Sequence, residues 1–589
     1  MSVVTHLKSR LEKWKSGNIV DLINEGNAIQ KRLMQGNLKP AQHEKVFVRL
    51  MLLGKVGAAL KWVSSNRTGV HDITPEIISQ LEEKHPENAP PTSETLSKLG
   101  NSELPKVEPV IFDSIDEQTI EKAAKATKGS AGPSGMDSDT WRRILCSRSY
   151  GHASEDLRYS LALLTRKLCT ELVDPYSMQG LLACRLIPLM KSPAGVRPIG
   201  IGEVLRRIIG KTVASHIKPE VIDAAGPLQL SAGQDGGAEA AVHAMRKLYE
   251  DEDSEGMLLV DASNAYNSLN RAESLLQIQH TCPEFAVYLI NTYRIPCKLF
   301  ISNSQGAFIL SKEGTTQGDN TASGFYALGI TPLITILATI QCKQIWYADD
   351  AGATGTLEKL KEWWELLNNK GPQLGYFPEA SKSWLVVKPS LEEKAKQVFA
   401  GTGVKITSEG RKYLGSPIGT KDFVKSFVSN MVADWKKELL DLTQICKQEP
   451  QVCYAAYVFG LSKRWLYLMR TTPEVAKLFE PLECCISDQF LPTLFKSFNA
   501  DTLRSITTLP AKFGGLSMFD PAQTAPDEYK YSAAATEPLV RLILEQKLIF
   551  DAEDKVQEEV RLAKTSIATA KSDKFKHLQE ELGNALHHA

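Results

Sequence analysis

Apolar positions recur at helical spacing through the first 80 residues. Val46, Leu50, Leu53 and Val56, then Leu60 and Val63, fall on one face of a 3.6-residue repeat. This predicts a helical N-terminal region. The pattern is lost over residues 81–108, which are acidic and rich in Pro and Ser, the composition of a linker. Helices are predicted again near Asp116–Ala126 and through 141–180. The period then shortens to two. Arg185–Lys191 and Val196–Ile199 read as two strands around a Ser-Pro-Ala-Gly turn, followed by a basic helix with Arg206, Arg207 and Lys211. Met257–Val260 is a short buried strand running into Asp261, and Ile345–Tyr347 is another running into Asp349-Asp350. Between them lie a helix and strand over 285–301, the polar glycine loop Gly314–Asn320 and an apolar helix over 322–339. A helix over 356–370 follows, with Trp363 and Trp364 read as core. Then come a strand after Ser383 and a short hairpin at Tyr413–Gly419. From 421 onward the chain is predicted mostly helical, broken at Leu509–Leu516, and 551–589 reads as a charged helix with no packed face.

Composition changes this picture little. At 589 residues several domains are expected, each with its own core. The chain is neutral, with 69 Lys+Arg against 69 Asp+Glu, yet residues 141–220 carry 13 Lys/Arg against 6 Asp/Glu. A basic zone in a neutral chain suits a phosphate-binding face, or a scattered solvated surface. The 10 cysteines form no CxxC pair, so neither a zinc module nor a disulfide framework is indicated. The N-terminus has no signal-peptide core and no apolar run reaches spanning length. An intracellular location, nucleus or cytoplasm, is expected, with no membrane partner. The Asn66-Arg67-Thr68 sequon therefore carries no meaning. Gly233–Gly237 lacks the lysine and hydroxyl of a nucleotide P-loop.

Candidate chemistry begins with the carboxylates. On a straight strand neighbouring side chains diverge, but at a tight turn Asp349 and Asp350 meet. Crowded acids repel unless a cation joins them, and oxygen ligands suit Mg²⁺. Lys191 and Arg197 sit on opposite arms of one hairpin, a point charge and a bidentate fork placed to clamp a triphosphate. Alone, each item has a plainer reading: a polar hairpin tip, a helix cap at Asp261, two exposed surface cations. Their joint order favours nucleotidyl transfer, with Asp261, Asp349 and Asp350 holding two metal ions.

In that order the motifs resemble those of the reverse transcriptases of non-LTR (LINE-type) retrotransposons, over about residues 129–420 and more weakly at Leu509–Leu516. Gly132-Pro-Ser-Gly-Met136 resembles the motif that opens the fingers. Lys191 and Arg197-Pro198-Ile199 resemble the hairpin that grips the triphosphate. Asp261-Ala-Ser-Asn-Ala-Tyr266 resembles the first palm motif, Gln317-Gly318 the loop that positions template and nucleotide, and Tyr347-Ala-Asp349-Asp350 the family's hallmark. Lys382, in a Gly…Lys-Ser pattern, resembles the proposed general acid for pyrophosphate, and Tyr413-Leu414-Gly415 the primer grip.

The resemblance implies an α+β right-hand polymerase with an antiparallel palm sheet, a helical N-terminal extension and a helical C-terminal region. It places an extension and linker at 1–108, fingers at 109–250 and palm at 251–405, with those two interleaved. The primer-grip hairpin and linker take 406–440, a helical thumb 441–550 and a charged tail 551–589. It implies RNA-directed DNA synthesis from a primer 3′-hydroxyl, with two Mg²⁺ ions (Mn²⁺ as substitute). The implied partners are an RNA template, a DNA primer and dNTPs. Tyr266 stands where the family places an aromatic that blocks a ribose 2′-hydroxyl; ordinary aromatic packing is its plainer reading. The usual Gln-Gly-x-Pro-x-Ser loop reads Gln317-Gly318-Asp319-Asn320-Thr321-Ala322, which puts its rigidity in doubt. No nuclease or zinc-finger pattern appears, so a separate nicking activity is an expected partner. The altered loop also motivates a rival: a nucleic-acid-binding protein that keeps the fold without polymerising.

Overall fold

The computed structural model describes residues 3–34, 40–64, 69–100, 103–104, 106–191, 195–304, 306–496, 500–551 and 554–587. The sequon at 66–68 and most of the Ser-Pro-Ala-Gly turn lie outside the described residues. Among the described residues the strands are β1 (Cys184–Lys191), β2 (Gly195–Gly202), β3 (Gly256–Val260), β4 (Cys297–Ile301), β5 (Phe308–Ser311), β6 (Lys343–Tyr347), β7 (Asp350–Gly355), β8 (Trp384–Val387), β9 (Lys405–Thr407), β10 (Gly410–Tyr413) and β11 (Ser416–Gly419). They form a five-stranded sheet ordered β6-β7-β3-β8-β9, a four-stranded sheet ordered β2-β1-β4-β5, and the β10–β11 hairpin.

The five-stranded sheet is not wholly antiparallel as expected: its edge pair β8–β9 is parallel. The helix Glu392–Val398 lies between those two strands in the chain, and a crossover of that length is what parallel pairing needs. The second sheet also joins β1 to β4 in parallel, an arrangement that the hairpin pattern did not disclose.

Three large apolar clusters organise the described residues. One lies under the five-stranded sheet, where Trp346 and Trp363 are fully buried. Each fully buried large side chain contributes about 2–3 kcal/mol of transfer free energy. A second cluster lies under the β1–β2 hairpin and the helices Ser138–Cys146 and His152–Thr170. The third is helical, built on Lys421–Cys446 and Ser462–Thr471, and it also takes in Phe47, Ala59 and Leu60 from the N-terminal helices. Local signals start the helices where expected. The Asp116 carboxylate accepts from the Gln118 and Thr119 backbone N–H groups, and the Thr119 hydroxyl accepts from the Asp116 N–H, closing a capping box on Glu117–Ala126.

Two other expectations change. The stretch read as a linker is bonded to the sheet region and contains the helix Ser93–Leu99. The Glu313 carboxylate accepts from the Ala89 N–H at 2.6 Å, and the Glu273 carboxylate accepts from the Thr92 N–H at 2.7 Å. Prolines and acids there reflect a strap of irregular backbone whose donors are satisfied by distant carboxylates. The C-terminal helix Val556–His587 has a packed start: Val556 and Val560 are buried, and Lys571 pairs with buried Glu528. Two valines four residues apart are too short an apolar stripe to register as periodicity.

The basic zone is largely consumed internally. Arg185 and Arg206 are buried, and Arg166 and Arg207 donate to backbone carbonyls of Ile115 and Lys128. All 10 cysteines are free; Cys485 is buried and Cys484 exposed. Among the described residues no helix is long and apolar enough to cross a membrane.

Candidate active site

Strands β6 and β7 pair until Tyr347 faces Asp350, which leaves Ala348-Asp349 as a two-residue turn. Ala348 has φ 54°, a left-handed conformation at a turn position that normally takes glycine. A distant side chain holds it there. Buried Gln229 accepts from the Ala348 N–H at 2.9 Å and returns a bond from Nε2 to the Ala348 carbonyl at 3.3 Å. The Gln229 amide is itself oriented by the Ser231 hydroxyl, which donates to Oε1 at 2.9 Å. On the other side, the Tyr376 hydroxyl donates to the Asp349 carbonyl at 2.9 Å, with its ring set edge-on against Trp346. Neither Gln229 nor Tyr376 was singled out from sequence. Gln229 lies 119 residues before the turn it holds, and no local pattern marks it.

Asp261 enters from β3, whose Val260 pairs with Ala351. Its backbone is held at both ends: the N–H donates to the Ser383 hydroxyl at 3.4 Å, and the carbonyl accepts from the Glu379 N–H at 2.8 Å. Asn264, at φ 53°, turns the chain and donates through Nδ2 to the Lys84 carbonyl at 2.9 Å, tying this loop to the N-terminal strap. Asp261 and Asp350 reach solvent, and Asp349 is half-buried. Burial raises the Asp349 carboxyl, the Asp261 charge adds to the shift, and Arg197 and Lys191 oppose it. Burial, then the charges of Asp349 and Asp261, push Asp350 up to about 6, with Lys412 opposing. The three carboxylates therefore share one electrostatic environment with excess negative charge. Their hard oxygen donors suit a divalent cation. As placed, they repel across the cleft without converging: among the described residues no three His, Cys, Asp or Glu side chains form a ready metal cluster.

Lys191 and Arg197 are both exposed. Arg197 faces Leu189 across the β1–β2 ladder, and Lys191 lies two residues further along the same face. Both act electrostatically on Asp349. Tyr266 is half-buried and stacked on Tyr326 at 4.7 Å. Its carbonyl accepts from the Thr315 N–H at 2.6 Å, and Gly314, at φ 59°, sits so close that a Cβ would meet that carbonyl at 2.3 Å. The Gln317 carbonyl accepts from the Gly200 N–H at 3.0 Å, so the glycine loop is pinned to β2.

The residues that depart from the usual loop pattern have partners. The Asp319 carboxylate forms a buried ion pair with Arg206 and accepts from the Tyr293 hydroxyl at 2.8 Å and the Thr321 N–H at 3.1 Å. Burial alone would raise that carboxyl; the Arg206 charge and these bonds lower it overall. Asn320 donates through Nδ2 to the Arg207 carbonyl at 2.6 Å. The loop is thus braced by side-chain bonds where proline would have braced it by restricting φ.

Lys382 is exposed, its Nζ 4.0 Å from Glu379, and it shares a cavity with Asp261, Asp350 and Lys412. Tyr413 is buried in the wall of that cavity. Leu414 and Gly415, at φ 44° and 90°, form the turn between β10 and β11. The Tyr467 hydroxyl fixes this turn by donating to the Leu414 carbonyl at 2.6 Å.

Residues 189–418 match the family model described as "Reverse transcriptase (RNA-dependent DNA polymerase)". The chain carries a reverse-transcriptase domain. On that evidence it is classed with enzymes of this type. The matched stretch of the reverse-transcriptase domain takes in every site residue named from sequence, from Lys191 to Gly415, and leaves Gly132–Met136 outside. A domain of this family implies nucleic-acid partners and metal-dependent nucleotidyl transfer. No curated protein matches the chain.

Proposed function

We propose that this protein is an RNA-directed DNA polymerase of the non-LTR retrotransposon type, extending a DNA primer 3′-hydroxyl on an RNA template with dNTPs. The observation that supports the reading is the shared electrostatic environment of Asp261, Asp349 and Asp350, with Lys191 and Arg197 acting on the Asp349 side. In this reading residues 109–250 are the fingers, 251–405 the palm, 406–440 the primer-grip hairpin and linker, and 441–550 the thumb. Residues 1–108 precede them as a helical extension, and 551–589 follow as a tail.

Asp261, Asp349 and Asp350 would hold two Mg²⁺ ions, or Mn²⁺ in their place. When bound, the ions supply Lewis acidity at the primer hydroxyl and neutralise charge on the leaving pyrophosphate. Lys191 and Arg197 bind the triphosphate, the lysine as a point charge and the arginine as a fork. The Gln317-Gly318 loop, pinned to β2, lies against base and sugar. Tyr266, backed by Tyr326, excludes a ribose 2′-hydroxyl. Lys382 donates a proton to pyrophosphate, and the Tyr413-Leu414-Gly415 turn seats the primer end. Asp319 and Asn320 bracing the altered loop supports polymerisation over a role in binding alone.

The test is primer extension on oligo(dT)-primed poly(rA) with dTTP and Mg²⁺, with an Asp349→Asn/Asp350→Asn double variant beside the wild type. Extension by the wild type alone is expected. Binding of template–primer by both proteins with extension by neither, in Mg²⁺ and in Mn²⁺, would sink the polymerase reading in favour of a binding protein.

A further inference from the structure

The turn Gly132–Met136 has no part in the chemistry above and lies outside the matched reverse-transcriptase stretch. It is nonetheless held from both sides. On the inner side, buried Glu203 accepts from the Ser134 N–H at 2.6 Å and from the Ser134 hydroxyl at 2.7 Å. The same hydroxyl accepts from the Met136 N–H at 3.3 Å. Gly132 lies so close that a Cβ would meet the Glu203 backbone at 2.8 Å. On the outer side, Gly135 turns the chain at φ 73°, and a Cβ there would meet Arg10 Nη2 at 2.3 Å and Gly26 Cα at 3.4 Å. Arg10 and Gly26 belong to the helices Val3–Lys15 and Ile19–Met34. The turn is thus clamped between Glu203 and the N-terminal helix pair.

Arg10 is 3% exposed. Its Nη1 donates to Glu25 at 2.7 Å, while Nε and Nη2 are buried with no acceptor among the described residues. Burying donors of a cation without acceptors is costly, and such a cost persists where the surrounding structure holds a residue for its position. What Arg10 backs runs inward without a gap. Glu203 is the N-cap residue of the helix Val204–His216. In the first turn of that helix, Arg206 makes the buried pair with Asp319, and the Arg207 carbonyl accepts from Asn320. The Arg207 guanidinium reaches back to the Lys128 and Ser130 carbonyls, just before the clamped turn. At the far end, Gly318 is so close to β2 that a Cβ would meet the Gly200 carbonyl oxygen at 2.6 Å.

The glycine loop has Asn320 where proline is usual, so its shape depends on whatever fixes the helix Val204–His216. We propose that Arg10 is a positioning residue for the Gln317-Gly318 loop. By backing the Gly132–Met136 turn it fixes Glu203, and through the helix that Glu203 caps it fixes the Asp319 and Asn320 braces. The N-terminal helix pair is then a working part of the nucleotide site, although Arg10 lies 307 residues before Gln317 and outside every motif that supports the reading. This rests on the polymerase reading above and adds to it a remote determinant of the same site.

The test uses the full chain as wild type, Arg10→Met, Arg10→Lys, Asn320→Ala and the Arg10→Met/Asn320→Ala double variant. Two readouts run side by side: single-nucleotide primer extension in Mg²⁺, and hydrogen exchange of the peptide spanning 314–321, which needs no activity. Arg10→Met, which keeps the bulk and removes the charge, should lower kcat/KM for dNTP about 10-fold and speed exchange across 314–321 by a similar factor. Exchange in the distant helix Lys421–Cys446 should not move. Arg10→Lys should recover part of both effects. In the Asn320→Ala background, where the brace is already cut, Arg10→Met should cost much less than it costs the wild type. Additive losses overturn the proposal, as does faster exchange spread evenly over the chain, because either describes a merely structural arginine. If Arg10→Met fails to fold, Glu25→Gln, which removes the partner that aims Arg10, is read in the same way. A loop that responds in a protein that extends no primer would sink the polymerase reading and keep the brace; extension with an indifferent loop would sink the brace alone.

Discussion

Gln229 holds the turn that carries Asp349, and removing its amide should cost catalysis more than stability. In Gln229→Leu the buried Ala348 N–H loses its 2.9 Å acceptor and the carbonyl loses its 3.3 Å donor. An unsatisfied buried N–H costs about 1–3 kcal/mol, and the longer bond adds about 0.5–1 kcal/mol. Ala348, at φ 54°, stores about 1–2 kcal/mol of left-handed strain that the clamp opposes. Without the clamp the turn can release that strain by moving toward φ below zero, which reduces the net stability loss to about 0.5–2 kcal/mol. The same relaxation shifts Asp349 relative to Asp261, and a displacement of about 1 Å at a reacting centre costs about 100-fold in rate. Urea unfolding and single-nucleotide primer extension should therefore show a modest stability loss and a drop in kcat near that factor, with KM for dNTP little changed. Ala348→Gly in the Gln229→Leu background should recover part of the rate, since glycine adopts positive φ without strain. A Gln229→Leu protein with unchanged kcat, or one that Ala348→Gly leaves as slow as before, would refute a positioning role.

Other consequences are equally direct. Asp319→Asn strands the Arg206 charge in a pocket where both side chains are under 5% exposed (4% and 3%). It should destabilise the protein by about 3–5 kcal/mol, whereas Arg206→Met/Asp319→Leu should fall much closer to wild type in urea unfolding; equal losses would contradict the ion-pair account. Because the Asp319 carboxyl is held below its ordinary range, this contribution is full at neutral pH and is lost only under strong acid. Buried His243 is lowered from 6.5 to about 4, by burial first and then by the charges of Arg246 and Lys247. Its neutral ring therefore stabilises the fold fully above pH 6.5 and loses about 3 kcal/mol as pH falls from 6.5 toward 4. His243→Gln should flatten stability against pH in that window, and an unchanged slope would be inconsistent. Tyr266→Ala should raise kcat/KM for rNTPs relative to dNTPs by about 10-fold or more, the equivalent of one steric contact of about 1.4 kcal/mol; unchanged sugar selectivity would return Tyr266 to simple packing.

The local parts of this protein are legible in its sequence because they depend on neighbours in the chain. Met257–Val260 and Ile345–Tyr347 are apolar and β-prone, so they form strands, and the acids that follow them fall at strand ends. The alternation at Arg185–Ile199 yields the hairpin that carries Lys191 and Arg197. Where elements pair, and with what, depended on contacts that no local pattern records. Strand β9 joins its sheet in parallel through a crossover, and the acidic stretch before Leu99 is a strap fastened by Glu273 and Glu313. The C-terminal helix is anchored by two valines and by Lys571. The site follows the same division. Its carboxylates, its cations and Tyr266 are residue types read directly from the chain. The supports of that chemistry come from far away in sequence: Gln229 under Ala348, Arg206 against Asp319 and Lys84 on Asn264. A buried backbone group or charge needs one partner of the right kind, and any segment that folds nearby can supply it. That freedom leaves the partner unmarked in the sequence, so only the tertiary structure decides it.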